Sequence, residues 1–444
     1  MKTNNERPAS HRNDPKARGC CFLVPGILLI GIIAIIVIYV NDNRPPDIVI
    51  PTPAMPTVNA YNDFVLAGQM ARGMQHKTPY DALPQQQQQE QSSAYLAAFH
   101  KDAGPVLIVL RRGLTKPYLQ PLGRTLSDDL KSIGTHASFR ELARTVAGEA
   151  EYYRHNGQPA RAANVLLDGM ELGVMIPHGG GLIAGFVGIA CEAVCIHQLE
   201  PLLPHLSPAE LAQIASRLNQ IEIKRLSYVE TMKEEADRTT AYDIDAFHRA
   251  KGTDFGRSLA GVQEGRWPNW RQFREMVKYS MTDKTKMLQE NRAYFLAVAE
   301  EARKPYSGQT HVPLPDNLIA KDFGDLYPIR GRRLFVSAEA VAALLRSEIA
   351  LYRYHAAYDH YPNALAQLVP AYLNSVPNDP FGGGANIPLH YRVTNDGRSF
   401  LLYSLGPDLR DDGGKPKRNP YDDKPGDIVA SHIWPQKANG GRKQ

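Results

Sequence analysis

Carboxylates, histidines, glycines and tryptophans set close enough to do chemistry occur at a few points along this 444-residue chain. Glu151 and His155 are four apart, as are Glu230 and Glu234. On a helix each pair shares one face and supplies two ligands to a metal, or an acid and a base. Two ligands do not make a site, and charged residues at this spacing more often form a solvated face, which is the expectation here. Gly179, Gly180 and Gly181 precede a helical run, where free backbone N–H groups can cradle a phosphate. A phosphate loop needs a following Lys-Ser/Thr and a preceding strand, so the expectation is a turn between packed helices. Trp267 and Trp270 stand beside Arg266 and Arg271, a grouping that can grip a sugar or an aromatic ring, but burial in a core is expected. HExxH, GxSxG, paired CxxC and Walker strings are absent. An enzymatic alternative therefore rests on His178, Glu192 and His197 converging on one pocket.

The segments that would position these groups read as helix over most of 94–305. Leu142, Val146, Ala150 and Tyr153 recur at helical spacing up to Gly157, and Ala163, Leu166 and Met170 form a second stripe closed by Gly173. The pair makes an αα-hairpin of faintly tetratricopeptide-like texture, without the repeat that such an array needs. Residues 178–197, HGGGLIAGFVGIACEAVCIH, have an apolar part too short to span a bilayer, interrupted by Glu192. Ile183, Val187, Ala190 and Val194 are expected as its buried stripe. Gly185 and Gly188 are expected to let a neighbouring helix come close, and Cys191 and Cys195 to pack in the core. Ser207-Pro208-Ala209-Glu210 is a helix start with a reciprocal cap, and Leu211, Ile214, Leu218 and Ile221 continue its inward face. A last long helix is expected over 270–302, with Pro305, Pro313 and Pro315 marking a boundary.

Ahead of this body stands GCCFLVPGILLIGIIAIIVIYV, residues 19–40. At about 1.5 Å per residue this uncharged run covers a hydrocarbon core of roughly 30 Å. Lys2, Arg7, Arg12, Lys16 and Arg18 precede it and Arg44 alone follows closely, which keeps the tail at 1–18 in the cytoplasm. The run is longer than that of a cleaved signal and lacks a small-x-small site. Prepilin processing after Gly19 would want a glutamate soon afterwards, and residues 20–27 carry no charge. A retained single-pass anchor is expected. Cys20 and Cys21 read as small residues opening a membrane helix rather than as acylation sites. Prolines at 45, 46, 51, 53 and 56 make 41–58 an extended linker, and PQQQQQEQSS at 84–93 reads as a mobile polar loop. A net charge of +5 indicates no nucleic-acid-binding face, and four cysteines are too few for a disulfide scaffold.

From residue 331 the texture changes. Ser337 is placed to cap a helix in which Val341, Leu344, Leu345, Ile349, Leu351 and Tyr352 repeat, ending near Tyr358. Tyr361-Pro362 must leave the helix, because a residue before proline avoids the α region. Asp379-Pro380 with Gly382, Gly383 and Gly384 is a turn. Residues 389–393 and 400–403 read as strands around Asn395-Asp396-Gly397, hence a hairpin. The order of Leu365 and Leu368, then Val376-Pro377-Asn378-Asp379-Pro380-Phe381-Gly382, Leu402-Tyr403-Ser404-Leu405-Gly406-Pro407-Asp408, Gly426-Asp427-Ile428 and Trp434 resembles the periplasmic domain of type II secretion pseudopilins, the major pseudopilins in particular, over about 333–434. The resemblance implies a long helix on a short antiparallel sheet, in an inner-membrane protein whose bulk is periplasmic. The expected fold is mainly α: one transmembrane helix, an all-α domain over 59–330, and a small α+β pseudopilin-like domain over 331–444.

The resemblance further implies a calcium ion organising the last loop, with Asp408 as the first acidic ligand and Asp422 and Asp423 as a later pair. Calcium takes about six to eight oxygens, and Asp411, Asp412 and Asp427 add to the supply. Helix–loop–helix calcium chemistry is not the alternative, because Arg410 and Asn419 occupy its third and twelfth positions. KPKRNP, residues 415–420, reads as an insertion that shifts the register of the second pair. In a pseudopilin the membrane helix runs directly into the periplasmic one, whereas roughly 300 residues intervene here. The expectation is thus a structural or interaction protein with protein partners in a secretion or envelope assembly. An atypical filament subunit and a helical periplasmic enzyme are the alternatives.

Overall fold

The computed structural model describes residues 46–77, 93–121, 126–249, 261–263, 265–317, 319–320, 326–384 and 386–430, together with Ile33. The tail at 1–18, the run at 19–40 apart from Ile33, the Gln-rich segment at 84–92 and Trp434 lie outside the described residues. Those described are mainly helical, with one three-stranded antiparallel sheet. Chain contacts group them into two compact units, one of residues 49–245 and 289–444 and one of residues 1–48 and 246–288.

The larger unit begins with α1 (Ala60–Gly73), capped by Asn59, whose side-chain oxygen accepts from the Tyr61 N–H. Its Gly68 lies so close to Ser138 that a Cβ would meet Ser138 Cβ at 2.8 Å. There follow α2 (Ser93–Leu114), α3 (Leu126–His155) and α4 (Pro159–Met175). Leu142, Val146 and Ala150 on α3 and Ala163, Leu166 and Met170 on α4 are all buried, as the sequence predicts, while Tyr153 at the end of the α3 stripe is half-buried against the core. Gly157 takes the left-handed conformation after α3, at φ 66°, as a helix stop does. Gly173, in contrast, does not stop α4. The helix continues to Met175, because Gly173 is needed where the backbone of the next helix crosses it.

That next helix is α5 (Gly181–Leu199), the most apolar among the described helices. With the turn that follows, Gly181–His205 is the one segment among the described residues long and apolar enough to cross a membrane. Two-thirds of its most apolar stretch is buried inside the protein, as in a core helix. Its buried side corrects the expectation in part, since Val187 is buried as expected but its three companions in the stripe are not. Ile183 and Ala190 are exposed and Val194 half-buried, while Leu182, Ala184, Ile189, Cys191, Cys195 and Ile196 face the core. A helix apolar on nearly every side has no periodic signal to pick a face. The glycines do what was expected of them. A Cβ on Gly188 would lie 2.3 Å from the Gly173 carbonyl oxygen, and one on Gly185 would lie 2.5 Å from the Phe335 ring.

Helix α6 (Pro208–Ile223) starts with the reciprocal cap: Glu210 N–H donates to Ser207 Oγ, and Ser207 N–H donates to Glu210 Oε2 at 2.8 Å. Leu211, Ile214, Leu218 and Ile221 are its buried face. After α7 (Tyr228–Arg249), the long helix expected over 270–302 proves to be two, α8 (Trp270–Ser280) and α9 (Lys284–Glu301). Asp283 causes the break, its carboxylate accepting from the Lys286 N–H as a new helix cap.

Helix α10 (Arg332–Tyr358) begins before Ser337, which is fully buried inside it rather than at its start. The early turn is held by Phe335, which packs on Gly185 and edge-on against Tyr228 at 5.2 Å. Asp359 ends the helix in the left-handed conformation, at φ 61°. Strands β1 (His390–Thr394) and β2 (Ser399–Ser404) pair antiparallel, with His390 opposite Tyr403 and Thr394 opposite Ser399. β3 (Ile428–Val429) adds to the other edge of β2. One continuous hydrophobic core joins residues of α1–α6 to Val341, Leu344, Ile349, Leu365, Phe381, Leu402 and Ile428.

In the smaller unit, Tyr279 of α8 is buried beneath the Lys284 ammonium, 3.8 Å from the ring centre. Asp47 N–H donates to Thr285 Oγ1 at 2.8 Å.

Candidate functional site

The glycine turn at 179–181 is filled by the protein itself. Gly179 N–H donates to Glu234 Oε2 and Leu182 N–H to Glu235 Oε2, both at 2.9 Å. The donors that a phosphate would need are thus committed to two side chains of α7. Gly179 and Gly181 adopt φ 76° and 67°, which fits the turn expected between helices. Burial pushes the Glu234 carboxyl up to about 7 against the pull of the Gly179 and Gly181 N–H groups. Glu230, its partner in spacing, is exposed and pairs with Lys233 at 2.7 Å. Glu151 holds Arg154, and His155 meets Ser93 Oγ at 3.0 Å.

His178, Glu192 and His197 do not gather. His178 Nε2 donates to the Lys224 carbonyl at 2.7 Å. His197 lies near the end of α5, where burial lowers its basicity. Glu192 meets the fork of Arg225, Oε1 at 3.1 Å and Oε2 at 2.6 Å. It lines a cavity of about 10 Å³ with Arg225, Phe335 and Glu339, and neither histidine is among the lining residues. Burial raises the Glu192 carboxyl while Arg225 opposes it. Burial also works against the charge on Arg225, but Glu192 and Glu222 outweigh it and hold the guanidinium well above its ordinary value. Glu222 in turn reaches Arg346 of α10 at 3.1 Å. The result is an ionic chain, Glu192–Arg225–Glu222–Arg346, buried at Glu192 and half-buried beyond it, that ties α5 and α6 to α10.

The last loop is organised by two acids outside the three proposed as ligands. Asp379, buried in the DPFGG string, accepts from Phe381 N–H, from Ser404 Oγ at 2.6 Å and from Leu405 N–H at 2.9 Å, stitching that string to LYSLGPD. Asp427 of the GDI string is fully buried and accepts from Gly414 N–H at 2.7 Å. Burial raises its carboxyl against those backbone donors. Asp379 stands before Pro380 and Asp427 after Gly426, each at a turn whose backbone N–H groups its carboxylate can collect.

Asp408, Asp422 and Asp423 do not share a centre. Asp408 accepts from Arg410 and Gly426 N–H groups at 3.4 and 3.3 Å. Asp423 is 78% exposed and faces Arg333 at 3.9 Å. Asp422 holds Lys417, a residue of the KPKRNP insertion, whose Nζ lies 3.4 Å from Oδ1 and 2.9 Å from the Asp422 carbonyl. The Lys417 side chain is buried; burial works against its charge, and Asp422 and then Asp408 favour it. Among the described residues no three His, Cys, Asp or Glu side chains gather as a metal would require. An ammonium thus stands against the carboxylate of Asp422, one of the residues that the resemblance implies as calcium ligands. The full-length chain is expected to melt at one temperature in millimolar calcium and in chelator. Lys417→Met should lose about 1–3 kcal/mol by stranding its partners. A midpoint raised by calcium in the unaltered chain would return the loop to the ion, since a ligand of the folded state must stabilise it.

The tryptophans overturn their expectation. Trp267 is 93% and Trp270 79% exposed, the latter stacked on Phe273 with ring centres 6.0 Å apart. No family model matches the chain, and neither a curated protein nor a solved structure matches it.

Proposed function

We propose that this chain is a single-pass inner-membrane protein, anchored by residues 19–40 with its N-terminus cytoplasmic. Its extracytoplasmic bulk works through protein contacts, as a structural or interaction protein of a secretion or envelope assembly. A pseudopilin-like head over 331–444 is fused to a helical body. The observation that carries the reading is the helix α10 leading into the antiparallel sheet, with Asp379 joining two of the strings on which the resemblance rests.

The same helix speaks against a filament subunit. Phe335, Val336, Val341, Leu344 and Leu345 bury its first turns in the core shared with α5 and α6, and Arg346 ties it to Glu222. A filament helix would need those turns free to continue from the membrane. The enzymatic alternative finds no support in His178, Glu192 and His197, each of which has its own environment apart from the others. Retention in the membrane together with protease sidedness of the full-length chain tests the proposal, and an N-terminal sequence starting after Gly19 would restore the filament alternative.

A further inference from the structure

Helix α8 carries two stripes. Trp270, Phe273, Val277 and Met281 follow one another at three- and four-residue steps, and of these Trp270, Phe273 and Met281 are exposed. Trp267, almost fully exposed, extends the stripe at the helix start. Arg271, Arg274 and Lys278 repeat at the same steps on the neighbouring face, all exposed. Only Tyr279 and Ser280 are buried in this helix. Singly exposed apolar residues need no explanation, but two tryptophans and a phenylalanine in line beside three cations form a continuous amphipathic surface. Its chemistry is that of the bilayer interface, where indole rings sit at headgroup depth and arginine and lysine meet lipid phosphates.

The chain path brings this surface to the membrane. Asp47 N–H is bonded to Thr285 Oγ1, four residues after the apolar stripe ends at Met281. Val40, the end of the apolar run, is seven residues from Asp47. Seven residues reach at most about 25 Å in any conformation. We infer that α8 lies in the lipid headgroup layer beside the point where residues 19–40 leave the bilayer, with its aromatic stripe toward the acyl chains and its cations toward lipid phosphates. This rests on the reading of 19–40 as an anchor. It adds a second attachment, one that would fix how the chain is held at the surface.

The test uses the full-length chain carrying Trp434→Phe, so that Trp267 and Trp270 are the only indoles. The protein is incorporated into phosphatidylcholine–phosphatidylglycerol vesicles with or without bromine on the acyl carbons nearest the headgroup. Indole emission is expected to lose roughly half its intensity in the brominated vesicles, and to recover much of it when Arg271, Arg274 and Lys278 are all replaced by glutamate. Equal emission in the two vesicle types overturns the inference, and is the result if a second copy or a protein partner covers the stripe. Alkaline carbonate extraction of the same vesicles reports the anchor separately. Retention without quenching rejects the α8 placement and keeps the anchor. Quenching without retention keeps α8 and rejects the anchor.

Discussion

Arg225→Met is expected to lower the unfolding free energy of the full-length chain by about 3–5 kcal/mol, among the larger effects that a single side chain can produce. Arg225 holds Glu192 through both terminal guanidinium nitrogens and Glu222 through Nε and Nη2, and Glu192 is only 4% exposed. Removing the cation leaves a carboxylate in the core with nothing to offset its lost hydration. That carboxyl is already pushed up by burial. Without Arg225 it should rise further and bind a proton in the folded state at pH values where the unfolded chain has released it. Stability of the variant is then fully present below the ordinary glutamate range and falls as pH rises, so the loss should shrink in mild acid. Glu192→Met added to Arg225→Met should recover part of the loss, because an apolar pair in place of a buried ionic one is often neutral. Chemical denaturation followed by circular dichroism measures all three variants. A change within about 0.5 kcal/mol for Arg225→Met, the size of an ordinary surface substitution, would remove the ionic chain from the account of how α10 is held.

Gly188→Val is expected to cost about 3 kcal/mol, for a different reason. The added Cβ would stand 2.3 Å from the Gly173 carbonyl oxygen and 3.2 Å from the Pro177 ring. A backbone oxygen in the last turn of a packed helix cannot swing away as a side chain can, so α4 and α5 must separate where they cross and lose packing there. Gly134→Ala is the matched control. A Cβ there meets nothing within 4 Å, and alanine in an exposed helix should stabilise by about 0.5–1 kcal/mol. Opposite signs for two glycine substitutions in one protein would separate close helix approach from helix propensity. Gly188→Val melting at the unaltered temperature would mean that the two helices do not cross at these glycines.

Local rules made much of the fold legible. The Ser207–Glu210 cap, the stop at Gly157 and the 390–404 hairpin each depend on residues within a few positions of one another, and each stands where the sequence places it. What was not legible depends on distant partners. Nothing near Ile183 shows that it is exposed while Ile189 is buried, because α5 is apolar on most sides and its face is chosen by α3, α4 and α10. The start of α10 at Arg332 follows from Phe335 meeting Gly185, about 150 residues earlier. Trp267 and Trp270 read as core by residue type, and only the structure shows them outside. Glu234 and Glu235 fill the glycine turn from a helix some 50 residues on, so the turn read correctly while its occupants did not. By sequence Lys417 belongs to a segment, KPKRNP, that reads as an insertion shifting the ligand register. In the fold it supplies the positive charge beside Asp422. The ligand set implied by the resemblance does not include this cation, because Lys417 reaches Asp422 only through the fold of the loop.

The topology we propose has one membrane crossing between a short cytoplasmic tail and all that follows. Its most direct test is protease added to the outside of spheroplasts that make the full-length chain with a tag at the N-terminus. With that topology the protein stays with the membrane through alkaline carbonate. Outside protease then trims the tagged species to a fragment little longer than residues 1–40. Full protection in intact spheroplasts, with digestion only after they are broken, would place the bulk of the chain in the cytoplasm and contradict the account.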